Sequence, residues 1–257
     1  MTSKLRELIS WELQDNWAFP ILEIVIAITI LQVMSINSFF RGLNDIAGPF
    51  FASMVFVIAI SVAIVFGRRF GEGIEKRKFV VLLSYPVSRT KVFVAKYLAN
   101  LLAIFLIFGS VLFAEGLSMY MFDDVLTLAL WGFMFVYLLV VVFFASSLIT
   151  IISMAVKRFG LSVLIFLIYV LGLEYWLNPI QGNVGTNNPL AYLSLSLGPY
   201  GLVDYSYTWF YNRLNIGWFG PSVVTETLFL TALCYFLIGG LVLFLASLFL
   251  MKRIDLD

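Results

Sequence analysis

Glu23 is the only charge within the apolar run 19–40, and a carboxylate buried in a membrane is a functional hypothesis by default. It could line a substrate path or hold an ion pair. Gln32 and Asn37 continue a weakly polar face and are candidates for the same path. Trp17 and Pro20 set Glu23 near one interface, where its side chain could instead reach the headgroups. Glu115, Asp123, Asp124 and Glu174 gather on the other side, where they could attract cations or simply complete the charge asymmetry. Catalytic chemistry is poorly supplied. The absence of histidine removes the commonest general base and the usual metal ligand. One cysteine, Cys234, allows neither an intrachain disulfide nor a cysteine cluster. No GxxxxGK[ST] phosphate loop occurs, so ATP hydrolysis of that type is not expected from this chain. We expect no catalytic residue, no metal site and no bound cofactor.

A second stretch points to a partner rather than to a reaction. In EKRKFVVLLSYPVSRTKVFVAK, Glu75 to Lys96, the basic residues Lys76, Arg77, Lys78, Arg89, Lys91 and Lys96 flank an apolar run from Phe79 to Tyr85. That run is far too short to span a bilayer. Pro86 breaks any helix there, and Ser88 is placed to cap a new one. The spacing predicts a helical hairpin over 68–92 with an apolar ridge, and such a ridge exposed to water needs a protein partner. The basic residues on their own can equally serve topology and headgroup contact.

The elements that must carry these residues are membrane helices. A mean hydropathy of +1.01 with 17% aromatic residues excludes a soluble globular domain. Continuous apolar runs argue against an alternating β-barrel. The net charge of +1 gives no basic field for nucleic acid. The runs predict an all-α integral membrane protein, a single transmembrane domain over 1–257, with six spans near 19–40, 46–66, 93–114, 125–156, 160–177 and 226–251. The fourth is uncharged from Val125 to Val156, about 48 Å as a helix. It could be one long tilted helix or a span with an extended end; splitting it in two would invert the topology that follows. Kept whole, with both termini in the cytoplasm, it leaves 14 of the 16 Lys and Arg inside and only Arg41 and Arg213 outside. The positive-inside rule therefore favours both termini in the cytoplasm and the unsplit span, and the plasma or inner membrane is the expected location.

Residues 1–18 are polar and amphipathic rather than a signal sequence. Leu5, Leu8, Ile9, Leu13 and Trp17 share one face, which predicts a helix along the inner membrane surface. The outer segment 178–225 is rich in Tyr, Trp and Phe and holds only Asp204 and Arg213 as charges. A cap or re-entrant segment anchored at the interface is expected there. Gly239, Gly240, Ala246 and Ser247 permit close packing of the last span, by default within the chain.

The stretch from Glu75 resembles the segment joining the second and third spans in permease subunits of type-2 ABC exporters, which has the form E-x-x-G-T-x-x-x-L-L-x-x-P-[VI]-S-R followed by a lysine. Leu82, Leu83, Pro86, Val87, Ser88, Arg89 and Lys96 carry the likeness, with Glu75 for the glutamate one residue late, while Arg77 and Lys78 stand where that family has Gly-Thr. The ending MKRIDLD is similar too, and the layout agrees along the whole chain. The resemblance implies a coupling helix that docks in a groove of an ATPase subunit. Glu72, Glu75, Lys76, Arg77, Phe79, Leu82, Leu83, Pro86, Ser88 and Arg89 would form that docking site, with Phe79, Leu82 and Leu83 as its buried contact. It further implies two ATPase subunits that bind ATP and Mg, a second permease copy or homologue, and outward transport of a hydrophobic or amphiphilic substrate. Two other readings fit the residues: a membrane anchoring protein that docks a soluble partner without transport, and, less well, a polytopic membrane enzyme.

Overall fold

The computed structural model describes residues 2–17, 59–76, 88–120, 127–172 and 226–253. Every regular element among them is helical. The predicted first span with Glu23, Gln32 and Asn37 lies outside the described residues. So do Arg77, Phe79, Leu82, Leu83 and Pro86 of the hairpin, and the outer segment 178–225.

Six helices are described. Helix α1 is Thr2–Trp17. Helix α2 is α-helical over 59–66, widens to a π-helix over Gly67–Glu72 and closes with the short turn Gly73–Glu75. Helix α3 is Arg89–Tyr120 and α4 is Thr127–Val156. Helix α5 runs over Phe159–Leu167 and widens to a π-helix over Ile168–Gly172. Helix α6 is Glu226–Arg253.

Helix α4 is unbroken for 30 residues, about 45 Å, as the uncharged run predicts. Helix α3 starts where Pro86 and Ser88 place a boundary. The Ser88 carbonyl accepts the Lys91 and Val92 N–H groups at 2.9 and 3.2 Å, which opens the helical ladder.

Helix α4 is the hub. It packs against α6, α3, α5 and the π-helical part of α2, while α1 lies on α3. Tyr97 of α3 sits at the centre of an aromatic cluster. Its ring meets Phe66 at 5.3 Å, Phe244 at 4.7 Å and Phe143 at 6.4 Å, all edge-on, and Phe93 bridges to Phe70 at 5.4 Å. Edge-to-face pairs of this kind add to the area they bury. Glycines let α6 approach α4: a Cβ at Gly240 would stand 2.8 Å from the Phe143 ring, and one at Gly239 would stand 3.2 Å from Phe144. These small residues thus serve packing within the chain, as expected.

The outward faces are apolar. Leu237, Ile238, Leu241, Val242, Leu245 and Phe249 of α6 are exposed, as are Leu161, Leu164, Ile165 and Ile168 of α5. Two segments, Leu139–Val156 and Leu233–Arg253, are long and apolar enough to cross a membrane. Helix α1 differs from expectation in how its apolar face is used. Leu8 and Ile9 are half-buried and Leu13 packs on the protein core, while Arg6, Glu7, Ser10 and Trp11 face outward. Protein contact through α3 takes up a face that the sequence alone assigns to lipid.

Candidate functional site

The polar side chains with the most structure around them lie where α2 ends and where α3 and α5 begin. Glu72, 12% exposed, accepts from Arg68 Nε at 3.1 Å and from Lys76 Nζ at 2.7 Å, one helical turn to either side. Pairs at this spacing each contribute about 0.2–0.5 kcal/mol when exposed. Their use here is to hold the side chains of the last turns of α2 in one arrangement.

Glu75 reaches a different helix. Its Oε2 accepts the backbone N–H of Phe159 at 3.2 Å. Phe159 is the first residue of α5, and the preceding Arg158 makes no side-chain cap. A carboxylate at this point satisfies an end-of-helix donor and faces the positive end of the helix dipole. The neighbouring contacts are equally close. A Cβ on Gly71 would lie 3.0 Å from Phe159 Cα and 3.2 Å from its N, and one on Gly67 would lie 2.8 Å from Val163 Cγ2. Gly67, Gly71 and Glu75 recur every fourth residue. The wider π-helical turn keeps that spacing more nearly in line than 3.6 residues per turn does.

The chain enters α5 from α4 through two residues. Lys157 has φ of 58°, in the left-handed region, and Arg158 is extended at φ −135° and ψ 128°. The Lys157 N–H still bonds to the Ser153 carbonyl at 2.9 Å, and the Ser162 N–H bonds to the Arg158 carbonyl at 3.1 Å. One helix therefore closes and the next opens with no slack. Such a left-handed residue usually stands at the end of a helix and is usually glycine.

Lys96 joins α1 to α3. Its Nζ donates to Glu12 Oε1 at 2.9 Å, with the two side chains only 8% and 14% exposed. Glu12 Oε2 is buried and makes no hydrogen bond. Next to Lys96, the Tyr97 hydroxyl lies 2.8 Å from Ser147 Oγ and 3.3 Å from the Phe143 carbonyl oxygen. An arrangement in which the phenol donates to the carbonyl and accepts from the serine satisfies both hydroxyls. Asn100 Nδ2 donates to the Lys96 carbonyl, and Thr150 Oγ1 to that of Ser146. Ser146, Ser147, Thr150 and Ser153 are all buried on α4, and together with Tyr97 and Asn100 they form a polar seam inside an apolar bundle.

The structure thus brings Glu72, Lys76 and Glu75 together at the end of α2, and it sets Ser88 and Arg89 at the start of α3. Sequence reasoning missed Glu12, which lies at the edge of the apolar face of α1. It also missed the hydroxyl seam, although residues 146, 147, 150 and 153 recur at helical spacing and could have revealed it. The described site holds no nucleophile with a base beside it. Its bonds are those of helices fastened to one another. No protein-family model matches this sequence, and no curated protein is significantly similar to it.

Proposed function

We propose that the chain is the membrane-spanning permease subunit of a type-2 ABC exporter. It crosses the plasma or inner membrane six times, keeps both termini in the cytoplasm and works with a second permease copy or homologue and two separate ATPase subunits. Residues 72–89 of the 68–92 hairpin dock on those subunits, and ATP-driven closure of the pair moves them. Helix rearrangement then carries a hydrophobic or amphiphilic substrate outward by alternating access. ATP and Mg belong to the partner; this chain supplies no catalytic group.

The observation that carries the reading is the sequence run Leu82-Leu83 to Pro86-Val87-Ser88-Arg89, apolar residues followed by a proline, which lies between α2 and α3. Support comes from the way both flanks are tied down. Glu72 and Glu75 brace the end of α2, and Lys96 fixes α3 to α1. A force applied between two braced helix ends reaches the bundle instead of being absorbed by a loose loop. The lipid-like outer faces of α5 and α6 agree with a membrane setting. Replacing Leu82 and Leu83 by aspartate is the test. The double variant should insert and fold normally yet fail to co-purify with a Walker-motif ATPase that the wild type retains. Full retention by the variant would remove the docking assignment.

A further inference from the structure

We infer that Glu75 is a clasp between the base of the hairpin and α5, so that the end of α2 and the start of α5 move as one body about the break at Lys157–Arg158. The inference deepens the proposed function, because it names the helix that receives the motion of the hairpin.

Three observations converge on it. First, the contact between α2 and α5 is made at backbone distance. Gly67 and Gly71 leave no side chain to be squeezed or to slide, and the Phe159 backbone and Val163 fill the space that a Cβ would take. Second, Glu75 lies one turn beyond Gly71 on the same line, and its carboxylate accepts the first N–H of α5 at 3.2 Å. Charge-assisted bonds of this type are stronger than neutral ones, and α5 has no side-chain cap from its own preceding residue. Third, the covalent neighbour of α5 is joined to it through a left-handed Lys157 and an extended Arg158, a sharp change of direction outside both helices. Few backbone torsions need to change there for α5 to tilt. Among the described residues, the outer face of α5 leaves Leu161, Leu164, Ile165 and Ile168 exposed. In sequence, α5 leads to the aromatic segment 178–225, so a tilt of α5 is a route from the cytoplasmic hairpin towards the outer side.

Glu75 therefore acts as a positioning residue within the chain. The test uses the full-length protein in nanodiscs and compares Glu75→Ala, which removes the acceptor, with Glu75→Gln, which keeps a carbonyl oxygen. Loss of a cap should raise amide hydrogen exchange at 159–162 roughly tenfold in Glu75→Ala and leave exchange at 146–154 of α4 unchanged. Glu75→Gln should stay within about threefold of wild type. Unchanged exchange at 159–162 in Glu75→Ala would overturn the clasp, and so would an equal rise throughout α2, α4 and α5. If no ATPase partner exists, the exporter reading fails, and the exchange measurement still judges the clasp by itself.

Discussion

Replacing Lys96 by methionine keeps the length and apolar stem of the side chain and removes its charge. Glu12 is then left with one oxygen facing an apolar contact and the other already without a partner. Removing one member of a fully buried pair costs about 3–5 kcal/mol, because the remaining charge is stranded. Two features lower that figure. The side chains keep 8% and 14% of their exposure, and Glu12 sits on α1, which can leave α3 and return its carboxylate to water. The cost is therefore limited by the docking free energy of α1, and we expect about 2–3 kcal/mol. Trypsin cleavage after Arg6, which needs α1 to undock and unwind, should then speed up roughly thirtyfold for a 2 kcal/mol loss. Thermal unfolding in detergent should drop by about 4–10 °C. The double variant Glu12→Met with Lys96→Met has no stranded charge and should recover to within about 1 kcal/mol of wild type. The reasoning is refuted if Lys96→Met alone cleaves at the wild-type rate, or if the double variant is worse than either single one.

Other substitutions probe the same junctions. Gly71→Ala forces a Cβ to within 3.0 Å of the Phe159 backbone and should destabilise by about 1–3 kcal/mol in thermal unfolding. Gly160→Ala meets nothing within 4 Å and should be neutral or stabilising by up to about 1 kcal/mol in the same assay. Lys157→Gly relieves the left-handed backbone and should stabilise by about 0.5–1 kcal/mol, whereas β-branched Lys157→Val should destabilise. Tyr97→Phe removes the hydroxyl shared with Ser147 and the Phe143 carbonyl. It should cost about 1–2 kcal/mol, and Tyr97→Phe with Ser147→Ala should cost little more than the single change.

Much of the helical frame was legible because it follows from one-dimensional signals. The uncharged run from Val125 to Val156 and the basic residues around it argue for an unsplit helix, and α4 is unbroken from Thr127 to Val156. Pro86 and Ser88 punctuate the chain, and α3 starts at Arg89. Gly239 and Gly240 advertise a close helix approach that α4 supplies. What sequence could not give is partnership across distance. Lys96 reads as one more topological cation, yet its partner Glu12 is 84 residues away, at the edge of a face that looks made for lipid. Glu75 reads as the rim of a docking surface, but its oxygen caps a helix also 84 residues away. Nothing in Gly-Arg-Arg-Phe-Gly-Glu announces a π-helical turn or the close fit of Gly67 and Gly71 against α5. The hydroxyls on α4 were readable in principle, since their spacing is helical.

The most direct measurement places a photo-crosslinking benzoylphenylalanine at position 79, in the apolar run 79–85, in cells that express the full-length protein. Mass spectrometry of the adduct should identify a Walker-motif ATPase, and the adduct should disappear when Leu82 and Leu83 are replaced by aspartate. A ridge that cross-links only to lipid, or to a protein without a nucleotide site, would contradict the proposal that a soluble motor drives this membrane chain.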